Sequence, residues 1–301
     1  MNQNTTSGLV WNKYLPASNR WLLWFALALL IKSAIFLFKV NELSSIENRH
    51  FPALIAREAG DTYTYLQPVE NLIFNGNYDD DFRMPGYGWI YYLLRAIFQT
   101  ATALDFLVIF QLLLASFSVY ILAKIAELLF KKQIYFYLTF TLYALSSFVS
   151  LYDPILLTES FATSSLIISF YFFFLPDMSK KQFVASGLFL TWCIFLKPVF
   201  APLLIVFSFF LILKIRLKKQ ETRLQISKML AAFLIPFLLV DGIWTVRNYK
   251  VHQGFYPLTT SLYFASTNES YLGALFQFLH AYGGSIVWWE PGADITYFKP
   301  L

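Results

Sequence analysis

Two carboxylates and three cations draw attention first, because each lies at or near the end of an apolar run, where an ionised side chain is costly unless it has a task. Asp61 follows a glycine and opens an aromatic patch, Gly60-Asp61-Thr62-Tyr63-Thr64-Tyr65. Glu159 is expected about one turn into an apolar run that begins after Asp153-Pro154. Arg83 opens Arg83-Met84-Pro85-Gly86-Tyr87, Lys197 stands in Phe195-Leu196-Lys197-Pro198, and Arg247 in Trp244-Thr245-Val246-Arg247-Asn248-Tyr249. Asp153 and Asp241 complete the set. A carboxylate can hold or deprotonate a hydroxyl, and fixed cations can stabilise a departing anion. Asp61 and Arg83 both fall in the polar stretch Arg57 to Arg95, which reads as the loop that carries the chemistry.

Each residue also has a plainer reading. Asp61 could cap the helix that follows it, and Glu159 could be a first-turn acid favoured by the helix dipole. Arg247 could anchor a span end at the interface, and Lys197 could snorkel. Asp79-Asp80-Asp81 reads as a solvated turn rather than a metal site.

Composition sets the surroundings. The 301 residues are 57% hydrophobic, 20% aromatic and only 14% charged, with mean hydropathy +0.54. Soluble domains carry about 25% charged residues. The chain therefore reads as an all-α integral membrane protein. Its net charge of +5 does not point to nucleic acid, because the basic residues gather in short loops between apolar runs. The lone cysteine, Cys193, can form no intramolecular disulfide, and with the three histidines it shows no zinc-site spacing.

The elements that must position these residues are apolar runs. Trp21 to Val40 reads as the first span, with Lys32 inside it facing protein or snorkelling. Residues 41–103 form the acidic outer loop. Within it Gly86 to Phe98 is too short between charges to cross and reads as an interfacial helix. Further spans are expected at 104–130, 134–151, 155–175, 183–195, 199–215 and 229–246, seven in all with the first. Lys131-Lys132, Lys180-Lys181 and the basic loop 214–228 then lie on the cytoplasmic side with the N-terminus, as the positive-inside rule requires. Counting 86–98 as a span would put Lys131-Lys132 outside. Residues 1–247 are expected to form one transmembrane module. Residues 248–301, with a second interfacial helix near Leu272 to His280, are expected outside as the start of a longer C-terminal region.

The order of these motifs resembles the GT-C membrane glycosyltransferases, in particular the family-39-like group of protein O-mannosyltransferases and lipid A aminoarabinose transferases. The likeness rests on the Gly60–Tyr65 and Arg83–Tyr87 segments, on Leu157-Thr158-Glu159, on Phe195–Pro198, on Trp244–Tyr249 and on Gly254-Phe255-Tyr256-Pro257-Leu258-Thr259-Thr260. It covers about residues 20 to 270. The chain departs from the family at Gly242, where proline is frequent there or nearby, and at Lys197, where arginine is frequent.

The resemblance implies transfer of a sugar from a polyprenyl-phosphate carrier to a lipid, glycan or protein acceptor on the extracytoplasmic face of a bacterial inner membrane. It implies Asp61 as base and Glu159 as a second carboxylate, with Arg247, Lys197 and Arg83 on the donor phosphate and Tyr63, Tyr65 and Tyr87 lining the substrate site. No cofactor is required. Two carboxylates without histidine suit Mg²⁺ or Mn²⁺ if an ion takes part. The alternatives are a non-catalytic membrane scaffold and a lipid or sugar transporter. A transporter places ionisable groups near mid-membrane, whereas here most acids sit at one face.

Overall fold

Backbone N–H and C=O groups in lipid must be paired within the protein, and a helix does this segment by segment. The computed structural model describes residues 20–43, 50–78, 83–176, 179–217 and 223–259. Among these residues the chain is helical, without strands, and carries a single isolated parallel bridge between Arg57 and Ile155. In order the helices are α1 (Trp21–Glu42), α2 (Thr62–Asn75), α3 (Gly88–Arg95), α4 (Thr100–Phe130), α5 (Gln133–Ala144), α6 (Ser147–Ser150), α7 (Glu159–Phe174), α8 (Lys180–Leu196), α9 (Leu203–Leu217) and α10 (Arg223–His252). Among the described residues four segments are long and apolar enough to cross a membrane: Trp21–Glu42, Thr100–Phe130, Pro198–Arg216 and Leu224–His252. The 16-residue α7 is apolar but shorter. This is the architecture of an all-α membrane protein.

A helix stands at every expected run that falls within the described residues, with two shifts. The run 134–151 is broken at Leu145-Ser146. Ser146 is extended and its hydroxyl accepts from Val149 N, which starts α6 anew. The run expected from 155 becomes helical only at Glu159, because Arg57 N donates to Pro154 O and Leu156 N to Arg57 O, both at 2.8 Å. An apolar run does not reveal that its first residues bond to a distant loop instead of to the next turn. The 8-residue α3 extends only about 12 Å, too short for a crossing. Asp79-Asp80-Asp81, the run near Leu272 to His280 and all of 260–301 lie outside the described residues. The compact unit continues beyond 247 to Thr259, since Asn248 Nδ2 donates to Tyr256 O and Asp241 Oδ1 accepts from Leu258 N.

Helix α4 packs against α1, α5 and α7, while α8 packs against α7 and α10. Small residues bring α7 and α8 close, as is usual between helices in lipid. Ser169 Oγ donates to Ser186 O at 2.9 Å and Ser186 Oγ donates to Ser169 O at 3.0 Å. Gly187 meets α10 so closely that a Cβ there would lie 2.1 Å from Phe233 O. Gly187→Ala is therefore expected to lose about 1–3 kcal/mol by overpacking. Gly242→Ala, within α10 but with open space around it, should be neutral or gain up to about 1 kcal/mol. Thermal unfolding of the two variants in detergent checks this; equal midpoints would contradict the close α8–α10 contact.

Lys32 faces protein. Its ammonium donates to Asp153 Oδ2 at 2.8 Å and Ser150 Oγ at 3.0 Å, and Ser160 Oγ donates to Asp153 Oδ1 at 2.7 Å. Both Lys32 and Asp153 are fully buried. The pair ties α1 to α6 and to the turn before α7.

Residues 50–78 and 83–98 cap one end of the helices. Asp105, near the start of α4, accepts from the backbone N–H groups of Leu54, Ile55 and Ala56 at 2.8–3.1 Å. Helix α2 buries Thr62, Tyr65, Leu66 and Val69, the spacing of one helical face. Arg95 of α3 grips Glu70 of α2 in a two-pronged pair, Nε to Oε1 at 3.0 Å and Nη2 to Oε2 at 3.3 Å. The Tyr91 hydroxyl donates to the same carboxylate, and burial with that bond raises its pKa well above the ordinary value.

Candidate functional site

The capping segment brings two helix starts together. Thr62 Oγ1, next to Asp61, donates to Leu156 O at 3.0 Å, three residues before Glu159. With the Arg57–Ile155 bridge, this holds the N-terminus of α2 beside that of α7. The two carboxylates singled out in the sequence thus occupy the first turns of neighbouring helices.

Asp61 does not act as a side-chain cap of α2. Its carboxylate instead receives Arg83 Nη2 at 2.9 Å and is 63% exposed. The Arg83 guanidinium is filled on its other edges by the same helical turn. Its Nε donates to Thr64 Oγ1 at 3.0 Å and its Nη1 to Tyr65 Oη at 3.1 Å, and the group lies 4.4 Å from the Tyr65 ring centroid.

Glu159 Oε1 receives the Lys197 ammonium at 2.7 Å. Lys197 reaches it because α8 stops at Leu196, Lys197 itself is extended, and Pro198 opens a 3-10 turn; a residue before proline is steered away from the helical region. Among the described residues, Glu159 Oε2 is buried without a hydrogen-bond partner, as is the neighbouring Thr158 Oγ1. A buried carboxylate oxygen left unpaired costs free energy, so the position is one that a hydroxyl or water would satisfy.

Aromatic rings connect the two pairs. Tyr65 lies 5.8 Å from Tyr87, and Tyr87 5.8 Å from Phe161. Tyr87 is fully buried rather than surface-lining, and its hydroxyl donates to Gln111 Oε1 at 2.7 Å. Burial first, then the nearby Glu159 charge, holds that hydroxyl protonated by raising its pKa well above the ordinary value. Gln111 Nε2 in turn donates to Tyr152 O, Asp153 O and Ile155 O at 2.9–3.3 Å, fixing the turn that leads to Glu159. Gly86 seats this layer on α8, where a Cβ would come within 2.3 Å of the Phe195 carbonyl and Trp192 Nε1 donates to Gly86 O at 3.0 Å.

The remaining candidates make other contacts. Tyr63 packs with His50 and Phe51, at centroid distances of 6.0 and 6.3 Å; residues two apart on a helix do not share a face, so Tyr63 and Tyr65 line different surfaces. Arg247 is joined to the segment after α2. Its Nη2 donates to Tyr78 O and its Nη1 to Asn248 Oδ1, with the guanidinium 4.8 Å from the Trp244 ring and 5.8 Å from the Tyr78 ring. Asp153 serves Lys32, and Asp241 holds Leu258. Among the described residues no three His, Cys, Asp or Glu side chains gather to hold a metal ion.

The sequence reading passes over Gln111, Asp105 and Glu70. Gln111 leaves a trace, an amide inside the apolar run 104–130. Asp105 and Glu70 carry no local signal, since their partners lie about fifty and twenty-five residues away. No family model matches the chain, and no curated protein or solved structure matches it.

Proposed function

We propose that the chain is a membrane glycosyltransferase of the GT-C type, moving a sugar from a polyprenyl-phosphate carrier to a hydroxyl-bearing acceptor on the extracytoplasmic face. The observation that carries this reading is the stitching of the α2 and α7 starts. It sets Asp61 and Glu159 on adjoining segments at one end of the helices, each with a cation beside it. In the reaction the acceptor oxygen bonds to the anomeric carbon as the bond from that carbon to the phosphate oxygen breaks. Asp61 takes the hydroxyl proton and the unpaired Glu159 oxygen orients the acceptor. The phosphate leaves with the electron pair, its charge met by Arg83, Lys197 and Arg247.

Seven spans follow in this reading, from α1, α4, α5 with α6, α7, α8, α9 and α10. Lys131, Lys132, Lys180, Lys181, Lys214 and Arg216 fall at the end opposite the site, which the positive-inside rule makes cytoplasmic. The topology is tested by cysteine labelling, to which Cys193, being buried, contributes no background. Leu54→Cys, 79% exposed at the site end, should react with an impermeant thiol reagent in intact cells; Lys132→Cys should react only after permeabilisation. The opposite pattern would place the site in the cytoplasm and exclude an extracytoplasmic reaction. Mass spectrometry of glycolipids and glycoproteins from cells with and without the gene would identify the sugar and the acceptor.

A further inference from the structure

We infer that the Asp61–Arg83 ion pair is a latch that the phosphate of the lipid-linked donor opens, so that the base is released only when the donor is in place. This rests on the glycosyltransfer reading above and adds the order in which its parts engage. Every hydrogen-bonding nitrogen of Arg83 is occupied, and all three oxygen partners, Asp61 Oδ2, Thr64 Oγ1 and Tyr65 Oη, come from one turn at the start of α2. In this arrangement the Arg83 guanidinium occupies an oxygen of the Asp61 carboxylate. Asp61 has no side-chain cap bond to hold it at the helix start, and the pair is open to solvent, with side-chain exposures of 63% for Asp61 and 26% for Arg83.

Exposed pairs of this kind are weak, so exchange of partners is cheap. A phosphate oxygen offers the guanidinium the same charge-assisted contact in a geometry that can take two N–H groups at once. Once the phosphate takes Arg83 Nη2, Asp61 Oδ2 loses its partner and is free to receive the acceptor proton. Without donor, the pair keeps the carboxylate from acting on water or on an acceptor alone. Tyr65 and Thr64 keep Arg83 in place through the exchange, because their contacts are to Nη1 and Nε.

The test is a double-mutant cycle read as binding, which needs no turnover. Geranyl phosphate is titrated onto the detergent-solubilised chain, with inorganic phosphate as a headgroup control. Asp61→Asn removes Arg83's competing partner and should tighten geranyl phosphate binding by about threefold. Arg83→Gln should weaken it. In the Arg83→Gln background, Asp61→Asn should then change nothing. General repulsion between Asp61 and the phosphate would tighten binding in both backgrounds, and that outcome overturns the latch. So does unchanged or weaker binding in Asp61→Asn alone. If the wild-type chain binds geranyl phosphate but Arg83→Gln binds it equally well, the latch fails and the transfer reading survives. If the wild-type chain binds no geranyl phosphate at all, both fail.

Discussion

Lys32→Ala is expected to lose about 3–5 kcal/mol of stability, the usual cost of stranding one member of a buried ion pair. Asp153 would be left fully buried with only the Ser160 hydroxyl on its carboxylate, and the Ser150 hydroxyl would lose its donor as well. The loss should be larger than that of any lipid-facing substitution in α1, such as Leu30→Ala, since Leu30 is 69% exposed. A paired replacement separates charge from packing. Lys32→Met combined with Asp153→Leu removes both charges while keeping volume, and it should recover most of the stability or exceed the parent. Thermal and denaturant unfolding in detergent read the difference. A Lys32→Ala midpoint equal to that of the parent would mean that the ammonium is not buried and that α1 is turned otherwise against α6 and α7.

This pair also shows where sequence reading reaches its limit. Lys32 inside an apolar run announces that it must face protein or snorkel, and that much is legible from hydropathy alone. Its partner Asp153 is 121 residues away, and nothing local marks it; by position it looks like one more acid at the site end. The same holds for Tyr63 and Tyr65. Both lie in the right stretch, but only helical phase shows that Tyr63 turns toward Phe51 while Tyr65 turns toward Arg83. By contrast the break at Lys197-Pro198 is written in the chain, because proline stops α8 and leaves the lysine at its end. Arg83 was legible as a loop cation, yet its pairing with Asp61 was not, since a gap of 22 residues in sequence carries no register.

The second large effect concerns the carboxylates. Asp61→Asn keeps size and polarity but removes basicity, and it should lower turnover by about 10²–10⁴-fold, the range that a positioned general base supplies. Folding should be unaffected, because the side chain is exposed and contributes no cap. Glu159→Gln should also lower turnover strongly. Its amide could still accept from Lys197 through the carbonyl oxygen, but the charge that orients the acceptor is gone, so the acceptor KM should rise together with the loss in kcat. Donor binding separates the two residues. Asp61→Asn leaves the donor bound about threefold tighter, while Glu159→Gln leaves it unchanged. Near-normal turnover in Asp61→Asn would remove it as base and leave Glu159 as the group to which the proton goes.

The account's central claim is that this end of the helices transfers a sugar from a lipid phosphate, and the most direct measurement is that transfer itself. Purified full-length protein in detergent or liposomes is given a radiolabelled short-chain polyprenyl-phosphate sugar and a membrane extract of the host as acceptor, and label is followed from carrier to product. The account predicts that label moves, that free polyprenyl phosphate is released in equal amount, and that both stop in Asp61→Asn. Protein that binds the carrier but moves no label in any extract, or label transfer that Asp61→Asn and Glu159→Gln together leave intact, would contradict it.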